Sequence, residues 1–125
     1  MRVAVPVLET EVNGRKLVNA HFGKSNLFAI VDTETGKVEL AENPALHLQR
    51  GRGIYIAQMF KEKGVEAVLV KEMGPGAFDK IRNALGIKVY LIPTRVKFLD
   101  EAVELFKEGK LTELLEPNED EHEHQ

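Results

Sequence analysis

Apolar residues run almost unbroken through residues 2–8, with valine at positions 3, 5 and 7. That pattern predicts a strand buried on both faces. Asn13-Gly14 signals a turn, and residues 15–20 read as a short second strand. Residues 26–32, centred on Leu27-Phe28-Ala29-Ile30-Val31, predict a third. Asp32-Thr33-Glu34-Thr35-Gly36 is a polar hairpin connection, and residues 37–41 alternate as its partner until Asn43-Pro44 ends the run.

The period then changes. Ile54, Ala57, Met59 and Phe60 supply the apolar side of a helix that stops at Gly64. Residues 65–70 are a strand, 75–85 a second helix closed by Gly86, and 87–92 a strand bounded by Pro93. In a third helix over 98–108, Leu99, Ala102, Val103 and Phe106 recur at helical spacing, and Gly109 closes it. Glycine suits each of these ends because it enters the left-handed region cheaply. The first half is therefore strands joined by hairpins, and the second alternates helix and strand. Crossover connections make the later strands parallel to one another, so the chain predicts a mixed sheet with helices packed against it.

Length and composition narrow the class. A chain of 125 residues with 43% apolar content suits one domain with a real core. No apolar run approaches the ~20 residues of a membrane helix, and the opening residues lack a signal-peptide pattern, so a cytoplasmic location is the default expectation. With no cysteine, disulfides, thiolate catalysis and protein-thiolate ligation of a cluster or zinc are excluded. A metal would have to be held by His, carboxylate, Met or backbone oxygen, or arrive inside a preassembled group. Absence of Cys and Trp beside 30% charged residues also suits a thermophile.

The net charge of −3 hides an asymmetry. Glu116, Glu119, Asp120, Glu121 and Glu123 crowd the last ten residues, which contain no Lys or Arg. Without those acids, 17 basic residues face 15 acidic ones. The body is mildly basic, with no concentrated stripe of the kind that reads nucleic acid. Residues 116–125 have too little to bury and read as a disordered acidic tail.

Several segments carry candidate chemistry. His21-Phe22-Gly23-Lys24-Ser25 puts an imidazole, a flexible glycine, a cation and a hydroxyl together. His21 can ligate a transition metal, while Lys24 and Ser25 can receive an anion. The competing reading is a packed turn with Phe22 in the core. Arg50-Gly51-Arg52-Gly53, just before the first helix, offers two guanidiniums and free N–H groups to an anion, or is a solvated loop. It has no Walker or dinucleotide fingerprint. Met73-Gly74-Pro75-Gly76-Ala77 follows a strand, where ligands collect in open α/β sheets. Gly74 and Gly76 allow close backbone approach and Met73 a soft contact, or the segment is an ordinary turn. His47, and His122 and His124 in the tail, are weaker metal candidates. No hydrolase motif is present, and with no carboxylate in residues 2–8 a paired-acid metal site is hard to build on the first strand.

These segments together resemble the dinitrogenase iron-molybdenum cofactor biosynthesis family, which includes NifX, NafY and the C-terminal part of many NifB proteins. The resemblance runs from Met1 to about Leu115. It rests on Pro6-Val7, on His21-Phe22-Gly23-Lys24-Ser25, and on Glu42-Asn43-Pro44. It continues through the glycine loop at 50–53, Gly74-Pro75-Gly76-Ala77, Leu85-Gly86-Ile87-Lys88-Val89-Tyr90, Glu101-Ala102-Val103 and Glu108-Gly109-Lys110-Leu111. It implies a ribonuclease H-like three-layer α/β fold with a five-stranded mixed sheet, formed by residues 1–115. It also implies a carrier or chaperone, not an enzyme, for an iron-sulfur or iron-molybdenum-type cluster or its precursor. His21 is then the cluster contact, Lys24, Ser25, Arg50 and Arg52 receive anionic charge, and Gly74 and Gly76 give backbone contacts. Partners are cluster-assembly or recipient proteins, with no nucleic acid or membrane, and the chain is a monomer or weak homodimer. The alternative is a regulatory or adaptor domain for a small anion or a protein partner.

Overall fold

β1 (Arg2–Val12) runs through the middle of a seven-stranded mixed sheet. The computed structural model describes residues 1–119. β2 (Arg15–Val18), β3 (Leu27–Asp32) and β4 (Val38–Glu42) follow, then α1 (Arg52–Glu62) and β5 (Val65–Val70). α2 (Pro75–Phe78) continues as a π-helical turn over Asp79–Ala84. β6 (Lys88–Leu91), α3 (Leu99–Lys107) and β7 (Thr112–Glu113) complete the order. Across the sheet the strands lie β4-β3-β1-β5-β6-β7, and β2 pairs with β1 off that path. The hairpin strands are antiparallel, whereas β1–β5 and β5–β6 are parallel, as crossover connections require.

Both faces of the central strands are buried, as the valine-rich opening predicts. Ala4, Phe28, Ile30, Val68 and Val70 point to one face and pack with Ile56, Ala57 and Phe60 of α1, Phe78 of α2, and Ile81. Val3, Val5, Val7, Ala29, Val31, Ala67 and Leu69 point to the other and pack with Leu99 and Ala102 of α3. The period-two alternation of strand side chains divides the core into these two clusters. Gly64, Gly86 and Gly109 sit just beyond the three predicted helices at φ of 70°, 72° and 71°, the left-handed end that a Cβ makes costly.

The departures from expectation are local. The sheet has seven strands instead of five. β2 extends the far end of β1 as a hairpin past an irregularity between Val7 and Glu11, and β7 is a two-residue edge on β6, too short to leave a periodic trace. β1 also runs past residue 8 through Glu9 and Glu11, so the first strand does carry carboxylates. They lie in its exposed hairpin arm, where Glu9 accepts from Asn26 at 2.8 Å and Glu11 faces Lys16 at 3.6 Å.

The start of the expected free tail is held. Asn118 Oδ1 accepts from the Met73 N–H at 2.8 Å, Asn118 N–H donates to the Met73 carbonyl at 3.1 Å, and Asn118 Nδ2 donates to the Lys71 carbonyl at 3.0 Å. Anchoring by an amide needs no apolar residue, which is why hydropathy does not reveal it. His122 and His124 lie outside the described residues. No helix among the described residues is long and apolar enough to cross a membrane.

Candidate cofactor-binding site

Phe22 fixes the loop between β2 and β3. Its ring is buried, 5.2 Å from Phe28 of β3 and 6.1 Å from Phe60 of α1 between ring centroids. Tilted and edge-on aromatic contacts of this kind are favourable. Polar groups set the rest of the loop. Asn19 N–H donates to the Pro6 carbonyl at 2.8 Å, its Oδ1 accepts from the His21 N–H at 2.9 Å, and its Nδ2 donates to Ser25 Oγ at 3.2 Å. From the next hairpin, Asn43 Nδ2 reaches the carbonyls of Gly23 at 3.1 Å and Ser25 at 2.9 Å. His21 itself forms an isolated parallel bridge with Glu72, just past β5. The loop is thus bound to five separate parts of the chain, and the His21 side chain is left 67% exposed.

A cavity of about 290 Å³ opens beside it, lined by His21, Phe22, Gly23, Lys24, Arg52, Glu72 and Glu119. Five of these residues come from the two segments marked in the sequence. Glu72 and Glu119 do not. His21 Nδ1 lies 3.3 Å from Glu72 Oε1, and one donor atom from each of His21, Glu72 and Glu119 lies within 4.8 Å of the other two. Arg52, the first residue of α1, is partly held by a 2.6 Å bond from its Nε to the Leu48 carbonyl.

The other predicted residues divide. Ser25 is fully buried; its hydroxyl donates to the Leu27 carbonyl at 2.7 Å and lies 3.2 Å from that of Val7. It shapes the loop and does not meet the cavity, because a buried hydroxyl is retained by its own hydrogen bonds. Met73 is also fully buried in the core and offers no soft contact. Arg50 and His47 are exposed and line no part of the cavity that His21 lines. Gly74 and Gly76 stay outside its lining as well. Their turn serves packing: a Cβ on Gly53 would lie 3.0 Å from Ala77 Cα and 3.2 Å from the Gly76 carbonyl oxygen. Gly23 is not needed for space, since a Cβ there would meet only Arg52 Cδ at 4.0 Å.

Glu72 and Glu119 were missed for different reasons. Glu72 directly precedes the marked Met73 segment but reads as a charged strand end. Glu119 reads as one acid in an acidic tail, and its own N–H, which donates to the Met73 carbonyl at 3.3 Å, joins the Asn118 contacts in bringing it back to the body.

A mixed α/β sheet thus places one imidazole, two cations and two carboxylates around a small cavity. Comparisons with known proteins show the family. Residues 1–109 match the dinitrogenase iron-molybdenum cofactor family, and the chain belongs to that family. It is 36% identical over 114 residues to an uncharacterized protein of Methanocaldococcus jannaschii, covering 89% of each chain. The apo orange protein of Desulfovibrio gigas superposes with a TM-score of 0.82 at 32% identity, over 94% of this chain and 96% of that one. A Thermotoga protein described as a candidate NifB protein gives 0.77 at 33% identity, over 95% and 97%.

Proposed function

We propose that the protein is a non-catalytic carrier for an iron-sulfur or iron-molybdenum-type cluster or its precursor, handing it between cluster-assembly and recipient proteins in the cytoplasm. The observation that carries this reading is the placement of His21: an exposed imidazole on an immobilised loop, at the mouth of a cavity that Lys24 and Arg52 also line. The family's name supports the same cargo. The alternation of an antiparallel β4-β3-β1 half with a parallel β1-β5-β6 half also suits a ribonuclease H-like assignment.

The donor set fits a preassembled cargo better than one built in place. With no cysteine, sulfide and metals would have to arrive already joined, and the protein would add an imidazole to an open metal position. Lys24 and Arg52 would interact with the cluster's negative charge, Arg52 through its planar fork. Release is then easy, because a single imidazole contact is readily exchanged, which is what a carrier requires.

Anaerobic incubation with a cluster donor, followed by desalting, tests the proposal. The wild type is expected to retain visible absorption and bound iron or molybdenum, and His21→Ala to lose most of both. A wild type that retains neither sinks the carrier reading. Stabilisation by phosphate alone, with no metal dependence, would favour the anion-binding adaptor instead.

A further inference from the structure

The carboxylates of the cavity have no use in holding an anionic cluster. Glu72 and Glu119 place two formal negative charges where Lys24 and Arg52 place two positive ones, and they would repel an anion. Their positions suit a cation. We propose that His21, Glu72 and Glu119 form a binding site for a single divalent transition-metal ion, distinct in chemistry from the cluster contact although it shares His21.

The geometry is specific. One donor atom from each of the three side chains falls within 4.8 Å of the other two, a spacing that small side-chain adjustments bring to metal–ligand distances of about 2.0–2.2 Å. The donors come from three distant parts of the chain. His21 lies on the loop held by Phe22 and Asn43, Glu72 follows β5, and Glu119 is delivered by the Asn118 contacts to Met73 and Lys71. The set therefore exists only in the folded protein, and little ordering remains to be done on binding.

One imidazole with two carboxylates is a borderline nitrogen and oxygen set. It suits Zn²⁺, Co²⁺, Mn²⁺ or Fe²⁺ more than Mg²⁺, which needs an octahedral oxygen shell, or a thiophilic ion such as Cu(I). Three protein ligands leave coordination positions open to water or to an incoming ligand. With a dication in place, the formal charge around the cavity changes from balanced to positive.

Cobalt is the probe, because its visible absorption reports both binding and ligand geometry. The experiment uses the full chain carrying His122→Ala and His124→Ala, which removes the tail imidazoles. That protein is expected to bind one Co²⁺. Adding His21→Ala or Glu119→Gln should weaken binding at least about 10-fold, and Glu72→Gln should do the same while its amide keeps nearly the shape of the carboxylate. Lys107→Met, exposed on α3 and outside the cavity lining, should not weaken it. Circular dichroism confirms that each variant is folded. Loss of all binding in the double tail variant, or equal affinity after His21→Ala, overturns the site. No iron, sulfide or molybdenum is present, so failure here and failure of cluster retention are separate results.

Discussion

Asn118 and Met73 pair like residues on neighbouring strands, although neither lies in one. The Met73 N–H donates to Asn118 Oδ1 at 2.8 Å and the Met73 carbonyl accepts from the Asn118 N–H at 3.1 Å. Nδ2 of the same amide donates to the Lys71 carbonyl at 3.0 Å. One side chain therefore joins the end of the chain's described part to the turn that carries Glu72. Asn118→Ala removes both side-chain bonds and should cost about 1–2 kcal/mol. Asn118→Asp keeps an acceptor for Met73 but loses the donor to Lys71, and should fall between. Thermal melts of the three proteins check the order. Equal melting temperatures for the wild type and Asn118→Ala would refute a role for this contact.

Gly53 is required by packing. The contact of its absent Cβ would be the backbone of Ala77, at 3.0 Å from Cα and 3.3 Å from N, and backbone at the start of α2 cannot swing aside as a side-chain tip can. Gly53→Ala should destabilise by about 1–3 kcal/mol through overpacking. It should also move Arg52 relative to the His21 loop, because the extra methyl separates α1 from α2. Gly23→Ala is the control, since its Cβ meets Arg52 Cδ only at 4.0 Å and should leave the melting temperature nearly unchanged. Chemical denaturation of both variants decides the matter: equal midpoints would mean that α1 and α2 adjust freely.

The contrast between those glycines shows what local pattern carries and what it does not. The strand over 2–8, the three helices and their terminal glycines were legible because burial on two faces and helical spacing are written in consecutive residues. The His21 segment was legible as a place, yet its residues could not be sorted. Phe22 and Ser25 face inward, while His21 and Lys24 face the cavity, and a turn has no period from which to read direction. The same holds for Met73, whose buried side chain looks no different in sequence from an exposed one. Glu72 and Glu119 were not legible at all as partners, because hydrogen bonds of Asn118 and of the Glu119 N–H with the turn at Lys71 and Met73 bring them together. Asn43 is the intermediate case: it stood out as a strand-ending Asn-Pro, but its bonds to Gly23 and Ser25 appear only in three dimensions.

Acid should weaken the contact between β2 and α3. Arg15 Nε and Nη2 donate to the two carboxylate oxygens of Asp100 at 2.9 and 2.7 Å, while the guanidinium lies 3.9 Å from the centre of the Phe98 ring. The hydrogen bonds from Arg15, with its charge, hold the Asp100 carboxyl below the usual carboxylate range. A carboxylate whose folded value is depressed binds fewer protons in the native state than in the unfolded one. Its contribution is therefore present above the unfolded value of about 3.9 and fades as the pH falls through the folded value. Glu39, bonded by Lys63 and Arg2, is depressed in the same sense and adds to the same acid limb. Asp100→Asn should lower the melting temperature near neutral pH, and its deficit against the wild type should close on acidification from about pH 5 to below pH 3. Because the pair is exposed, raising the salt concentration at pH 7 should narrow the same gap. Melting curves collected across that pH range test the assignment, and a deficit that stays constant down to the lowest pH would show that Asp100 contributes through packing or helix capping and not through its charge.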